Sequence, residues 1–154
     1  MTSIKNTRWS IGKLLISLVA IFTSVSPYLA DWNETHIYNP LWLPHAKFHN
    51  AQTMVLGAFL GLLAIYCLWL RRGIPERQKL NEATVLASLY WLAQLPAALF
   101  PGVALSDPGG VKMPLIFGVE FNQLTLNITI IFPLLILGYY LETRSLKKSG
   151  SLKH

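Results

Sequence analysis

Residues 44–70 read PHAKFHNAQTMVLGAFLGLLAIYCLWL, and Arg71-Arg72 close the run. Pro44 suits the first turn of a helix, where its missing N–H is not needed. At 1.5 Å per residue the run spans about 40 Å, more than the roughly 30 Å hydrocarbon core of a bilayer. Its first turns, which hold His45 and His49, are therefore expected at the headgroup level. Gly57 and Gly61 form a GxxxG step continued by Ala64, which lets another helix approach closely. That face is a candidate for a homo-oligomer contact or a helix partner.

Three more apolar runs flank this one. Lys5, Arg8 and Lys13 precede a run from Leu14 to Ala30. It is long for the core of a signal peptide, and Tyr28 stands where a small residue should precede cleavage after Ala30. The expectation is a retained first helix over 11–31, bent by Pro27. A third helix is expected over about 83–105, interrupted by Pro96 and Pro101. A fourth is expected over about 122–142. Asp107-Pro108-Gly109-Gly110 is a turn signal, and Val111–Phe121 reads equally as a short strand, a re-entrant piece or a surface segment.

Composition agrees with these spans. The chain has 154 residues, 53% hydrophobic and 13% charged. A soluble domain this small has too much surface for its volume to hide that apolar content. The net charge of +6 might suggest nucleic acid. However, the basic residues sit between apolar runs rather than interleaved with aromatics on one face, so no nucleic acid is expected. Eleven of the thirteen Lys and Arg lie in the amino-terminal segment, the 71–80 loop and the carboxyl-terminal tail. The positive-inside rule then places both termini and that loop in the cytoplasm. The loops 31–50 and 106–121, with only Lys47 and Lys112 between them, face outward. The fold expected is all-α: an integral membrane antiparallel four-helix bundle in a single domain over 1–154. Cys67, the lone cysteine, reads as a buried and unreactive thiol.

Chemistry concentrates in the outward loop, which holds three of the four histidines. His45 and His49 are four apart and share a helix face, with Gln52 one turn on. Two imidazoles at this spacing form a half-site for a divalent metal that His36 and an acid could complete. There is no HExxH, and the alternative is interfacial hydrogen bonding to backbone and headgroups. Asp31 and Glu34 are three apart, and close carboxylates at a low-dielectric boundary push their pKa values apart into donor and acceptor. Glu120, Gln123 and Asn127 make a polar stripe on the fourth helix, and Tyr90 and Gln94 a pair on the third. Any one of these could be glue between helices. All lie in the outer half or the midplane, which outlines one outward-opening pocket. Trp32 and Asn50 border it. Asn33-Glu34-Thr35 matches a glycosylation sequon, relevant only in a secretory pathway.

The run Ala30-Asp31-Trp32-Asn33-Glu34-Thr35-His36, followed by Asn39-Pro40, His45-Ala46-Lys47-Phe48-His49-Asn50 and Gln52-Thr53-Met54, resembles the signature of a family of small four-helix membrane proteins of unknown function. The resemblance implies an integral membrane protein and carries no catalytic role across. In architecture the chain is also similar to the emopamil-binding sterol isomerases and the DoxX-like proteins. The first of these implies acids and a histidine moving protons on an apolar substrate.

The leading functional expectation is an enzyme acting on an apolar or lipid-like substrate from membrane lipid. Asp31, Glu34, His36, His45, His49 and Glu120 would carry proton transfer, or the histidines a bound metal. Trp32, Asn50, Gln52, Tyr90, Gln94, Gln123 and Asn127 would line the substrate site. The competing class is a non-catalytic lipid or quinone binder, or an accessory to a membrane complex. A proton-coupled transporter is a third reading, weakened by scarce intramembrane acids and no visible repeat.

Overall fold

A computed structural model describes residues 9–106 and 114–150. The turn expected at Asp107–Gly110 lies outside the described residues, as do Lys5, Arg8, Lys112 and Lys153. Four helices carry the fold: α1 (Ile11–Asp31), α2 (Pro44–Leu70), α3 (Glu76–Ala97) and α4 (Gln123–Lys148). A two-stranded antiparallel hairpin, β1 (Leu115–Ile116) and β2 (Val119–Glu120), precedes α4. Its turn residues Phe117 and Gly118 both have positive φ, 51° and 78°, as a two-residue primed turn requires.

Each helix begins where its sequence permits. Ser10 caps α1, its Oγ accepting from the Lys13 N–H at 3.2 Å. Asn122 caps α4 by accepting from the N–H groups of Leu124 and Thr125. Pro75 opens α3, so that helix starts seven residues before the expected 83 and takes Glu76, Arg77 and Lys79 into its first turns. It also ends early, at Ala97, because Pro96 fills its last turn and Pro101-Gly102 cannot prolong it. The shift leaves α3 too polar to count as a span. Three helices, α1, α2 and α4, are long and apolar enough to cross a membrane. Both α2 and α4 contain a wide π turn, at Tyr66–Leu70 and Asn127–Ile131. In α4 the wide turn precedes Pro133, which has no N–H to give the preceding turn.

Helix α1 is the hub, in contact with each of the other three. Ile16, Val19, Ala20 and Thr23 are buried along it, against Ala64, Leu68, Leu80, Ala83, Ala87, Trp91, Ile131 and Leu135. Two glycine crossings bring helices close. A Cβ on Gly57 would lie 3.0 Å from the Thr23 carbonyl, the one that Pro27 leaves without its helical N–H partner. A Cβ on Gly61 would collide with the Ala20 carbonyl and Ser24 Oγ. Gly57 and Gly61 therefore serve the close approach of α1 within the chain. Gly12 and Gly138 repeat the arrangement between α1 and α4, each with its empty Cβ side on the other helix's backbone. The outer surface is apolar, with Leu18, Leu29, Phe59, Leu62, Ile128 and Ile136 exposed. Such an outside suits lipid rather than water.

Candidate functional site at the histidine end

Asp31 ends α1. The Trp32 N–H still bonds back to the Tyr28 carbonyl, and Asn33 then turns the chain. Its Oδ1 accepts from the Thr35 N–H at 2.9 Å and from Thr35 Oγ1 at 2.8 Å. Asn39 adds a second local clamp, donating to the Thr35 carbonyl and accepting from the Leu41 N–H. These asparagine turns fold the loop over the helix end. His36 Nε2 thereby comes to 3.8 Å from Asp31 Oδ1, with Nδ1 2.7 Å from Thr35 Oγ1 and the ring edge-on to Trp42. From α2, Asn50 donates to Asp31 Oδ2 at 2.7 Å. Three separate chain positions thus meet at one carboxylate.

The polar groups continue into the bundle. Tyr90 lies within electrostatic reach of Asp31 and beside Gln94. Gln94 Oε1 accepts from Asn127 Nδ2 at 2.9 Å, and the Trp91 carbonyl accepts from the same nitrogen at 3.4 Å. Asn127 is fully buried at the first position of the α4 wide turn. Deeper still, Trp91 Nε1 donates to Thr23 Oγ1, which donates to the Val19 carbonyl. The ladder has a surplus of acceptors: Asn50 Oδ1 and Asn127 Oδ1 are buried with no hydrogen-bond donor among the described residues. A buried acceptor left unmatched costs about 1–3 kcal/mol.

Other expected site residues lie elsewhere. His45 and His49 stand on the exposed face of α2 with their Nε2 atoms 3.0 Å apart, and His49 Nδ1 is 3.3 Å from Gln52 Oε1. Glu34 is exposed, and so is Trp32, whose Nε1 bonds the Tyr38 hydroxyl. Glu120 sits on β2 rather than on a helix, and Gln123 is exposed at the start of α4, so only Asn127 of that stripe enters the bundle. Among the described residues no group of three or more His, Cys, Asp or Glu could hold a metal ion. The expected ligand set of His36, His45 and His49 is therefore corrected. Helical spacing pairs the last two, but the asparagine turns carry His36 away to Asp31.

Sequence reasoning missed a second polar cluster at the opposite, basic end. Lys13 is buried at 5% exposure, 2.8 Å from Glu76 and over the Trp69 ring. Lys79 also binds Glu76, at 2.7 Å. Burial works against the Glu76 charge, but the hydrogen bonds and charges of Lys13 and Lys79 outweigh it and hold its carboxyl below the ordinary 4.5. Glu142, also buried, accepts from Ser10 Oγ. A signal was present: Lys13 falls on the same 3–4 spacing as Ile16, Ala20 and Thr23, which places it on the buried stripe of α1.

Fold and site define a four-helix protein with three span-length apolar helices and an acceptor-rich polar ladder at one end. The chain belongs to a family of unknown function, DUF6640, whose model matches residues 15–152. No curated protein and no solved structure matches it.

Proposed function

We propose that this is an integral membrane protein that binds an apolar, lipid-like molecule by a hydrogen-bond-donating headgroup, a hydroxyl in the simplest case. The chain spans the membrane with its basic end in the cytoplasm and the histidine end outward, as the distribution of lysine and arginine supports. The observation that carries the reading is the unmatched acceptors. Asn50 Oδ1, on the side chain that binds Asp31, and Asn127 Oδ1 are both buried with no donor among the described residues. A hydroxyl placed between Asp31 and Asn50 supplies one donor, and water carried with it supplies the next down the ladder. Polar groups inside a bilayer are costly and mark ligand paths.

The test is a long-chain alcohol bearing a photoreactive diazirine, cross-linked to the protein in vesicles and mapped by peptide mass spectrometry. Labelling is expected in the segments around 31–50 and 90–94. Labelling confined to the outward-facing side chains Leu56, Phe59, Leu62 and Leu63 refutes a specific site.

The approach of an imidazole to an acid favours a second reading, proton transfer on the same molecule by Asp31 and His36. Their 3.8 Å separation is too long for a direct hydrogen bond, so a substrate hydroxyl or water bonded to both from the side would pass the proton. His36→Gln should then abolish turnover and keep binding, and equal loss of both would leave only the binding role.

A further inference from the structure

A groove of about 810 Å³ runs between α3 and α4 on the outer surface, distinct from the polar ladder. Its walls are Val85 and Leu92 on one side and Phe132, Leu135 and Ile136 on the other. Thr84 and Ser88 also line it, but their hydroxyls bond back to the carbonyls of Leu80 and Val85, so the floor stays apolar. The lining runs from Asn81 to Leu92 on α3 and from Phe132 to Thr143 on α4. By helical rise each side is about 17 Å long, close to half of the roughly 30 Å hydrocarbon core. The groove therefore has the length of one leaflet.

Its far end is polar and cationic. Arg77 reaches across from α3, donating to Thr143 Oγ1 and the Tyr139 hydroxyl, both at 2.6 Å, with its guanidinium over the Tyr139 ring. Tyr139 donates on to Asn81 Oδ1 at 3.0 Å. Arg144 donates to the Tyr140 hydroxyl one turn away. Lys13, Lys79 and Arg71 at this end each have a carboxylate partner. Arg77 and Arg144 have none among the described residues. A guanidinium has five N–H donors, and the two spent on Thr143 and Tyr139 leave three for an anion.

We propose that this groove holds one membrane lipid with an anionic headgroup. An acyl chain lies along α3 and α4, and the phosphate sits against Arg77, with Arg144 adding to the attraction. The complementarity is of charge at one end and of length along the rest.

The test uses the full-length protein in nanodiscs of mixed phosphatidylglycerol and phosphatidylcholine, with the lipids retained after mild detergent extraction counted by native mass spectrometry. Wild type should retain the anionic lipid with about tenfold preference, the scale of a charge-assisted hydrogen bond. Arg77→Ala should bring the preference close to unity, and Arg77→Lys should keep most of it. Ser88→Trp, which fills the groove and leaves Arg77 in place, should abolish retention of either lipid. Equal retention of the two lipids by wild type overturns the proposal and needs no variant to fold. So does an undiminished preference in Arg77→Ala. Displacement of the lipid by soluble glycerol phosphate also overturns it, since the headgroup alone would then account for binding.

Discussion

Replacing Asn50 by leucine separates a ligand site from mere helix glue. The substitution keeps the approximate shape and removes both ends of the carboxamide. Its Nδ2 makes a charge-assisted bond to Asp31 at 2.7 Å, and loss of such a bond costs about 1.5–3 kcal/mol. Its Oδ1 is buried with no donor, and removing an unmatched acceptor recovers about 1–3 kcal/mol. The two nearly cancel. The thermal unfolding midpoint in micelles should therefore move by only a few degrees, since about 1 kcal/mol shifts a chain of this size by roughly 2–4 °C. Binding of a long-chain alcohol should weaken by about tenfold, because the hydroxyl loses one of its acceptors. Both quantities come from one preparation, by calorimetry with and without the alcohol. A loss above about 3 kcal/mol in stability with unchanged alcohol affinity would show that Asn50 merely ties α1 to α2.

Other outcomes follow from the packing and the charges. Gly61→Ala puts a methyl into the Ala20 carbonyl, so overpacking should cost about 1–3 kcal/mol by thermal denaturation, and an unaltered midpoint would deny the close α1–α2 contact. The Glu76 pKa is lowered, so its contribution is complete above the ordinary 4.5 and is lost as pH falls from there through the lower folded-state value. The unfolding midpoint should drop from about pH 6 to about pH 3, and Glu76→Gln should flatten that drop. Alanine at both His45 and His49 should leave stability within about 0.5 kcal/mol, as expected for exposed side chains. Zinc affinity in the low micromolar range that this double variant abolishes would restore a metal to the histidine face.

Three of the four apolar runs were legible as the helices they form. The expected bounds of the second helix, Pro44 to Leu70, are those observed, because a long uncharged run ends at Arg71-Arg72 and starts at a proline. The third helix was misplaced because hydropathy alone marked it, whereas Pro75 opens it and Glu76, Arg77 and Lys79 tolerate a helix that packs on α1. Asp31, Asn50, Gln94 and Asn127 were legible as polar residues among apolar ones, since few reasons besides function or helix contact keep them there. The loop histidines were not. Residues four apart must share a helix face, but which face turns inward depends on Gly57 and Gly61, which orient α2 with its histidines outside. His36 was set by asparagine turns, and these depend on local backbone geometry that spacing does not reveal. The Lys13–Glu76 contact joins residues 63 apart, and only tertiary packing brings them together.

The surplus of acceptors at the histidine end is tested most directly by a matched pair of ligands: a long-chain alcohol and its methyl ether, titrated into the purified protein. The two have the same apolar body, and only the alcohol donates. The alcohol should bind about tenfold more tightly or better, and Asp31→Ala should erase the difference. Equal affinity of alcohol and ether for wild type would mean that Asp31 and Asn50 receive nothing from the ligand, and the proposed site would be lost.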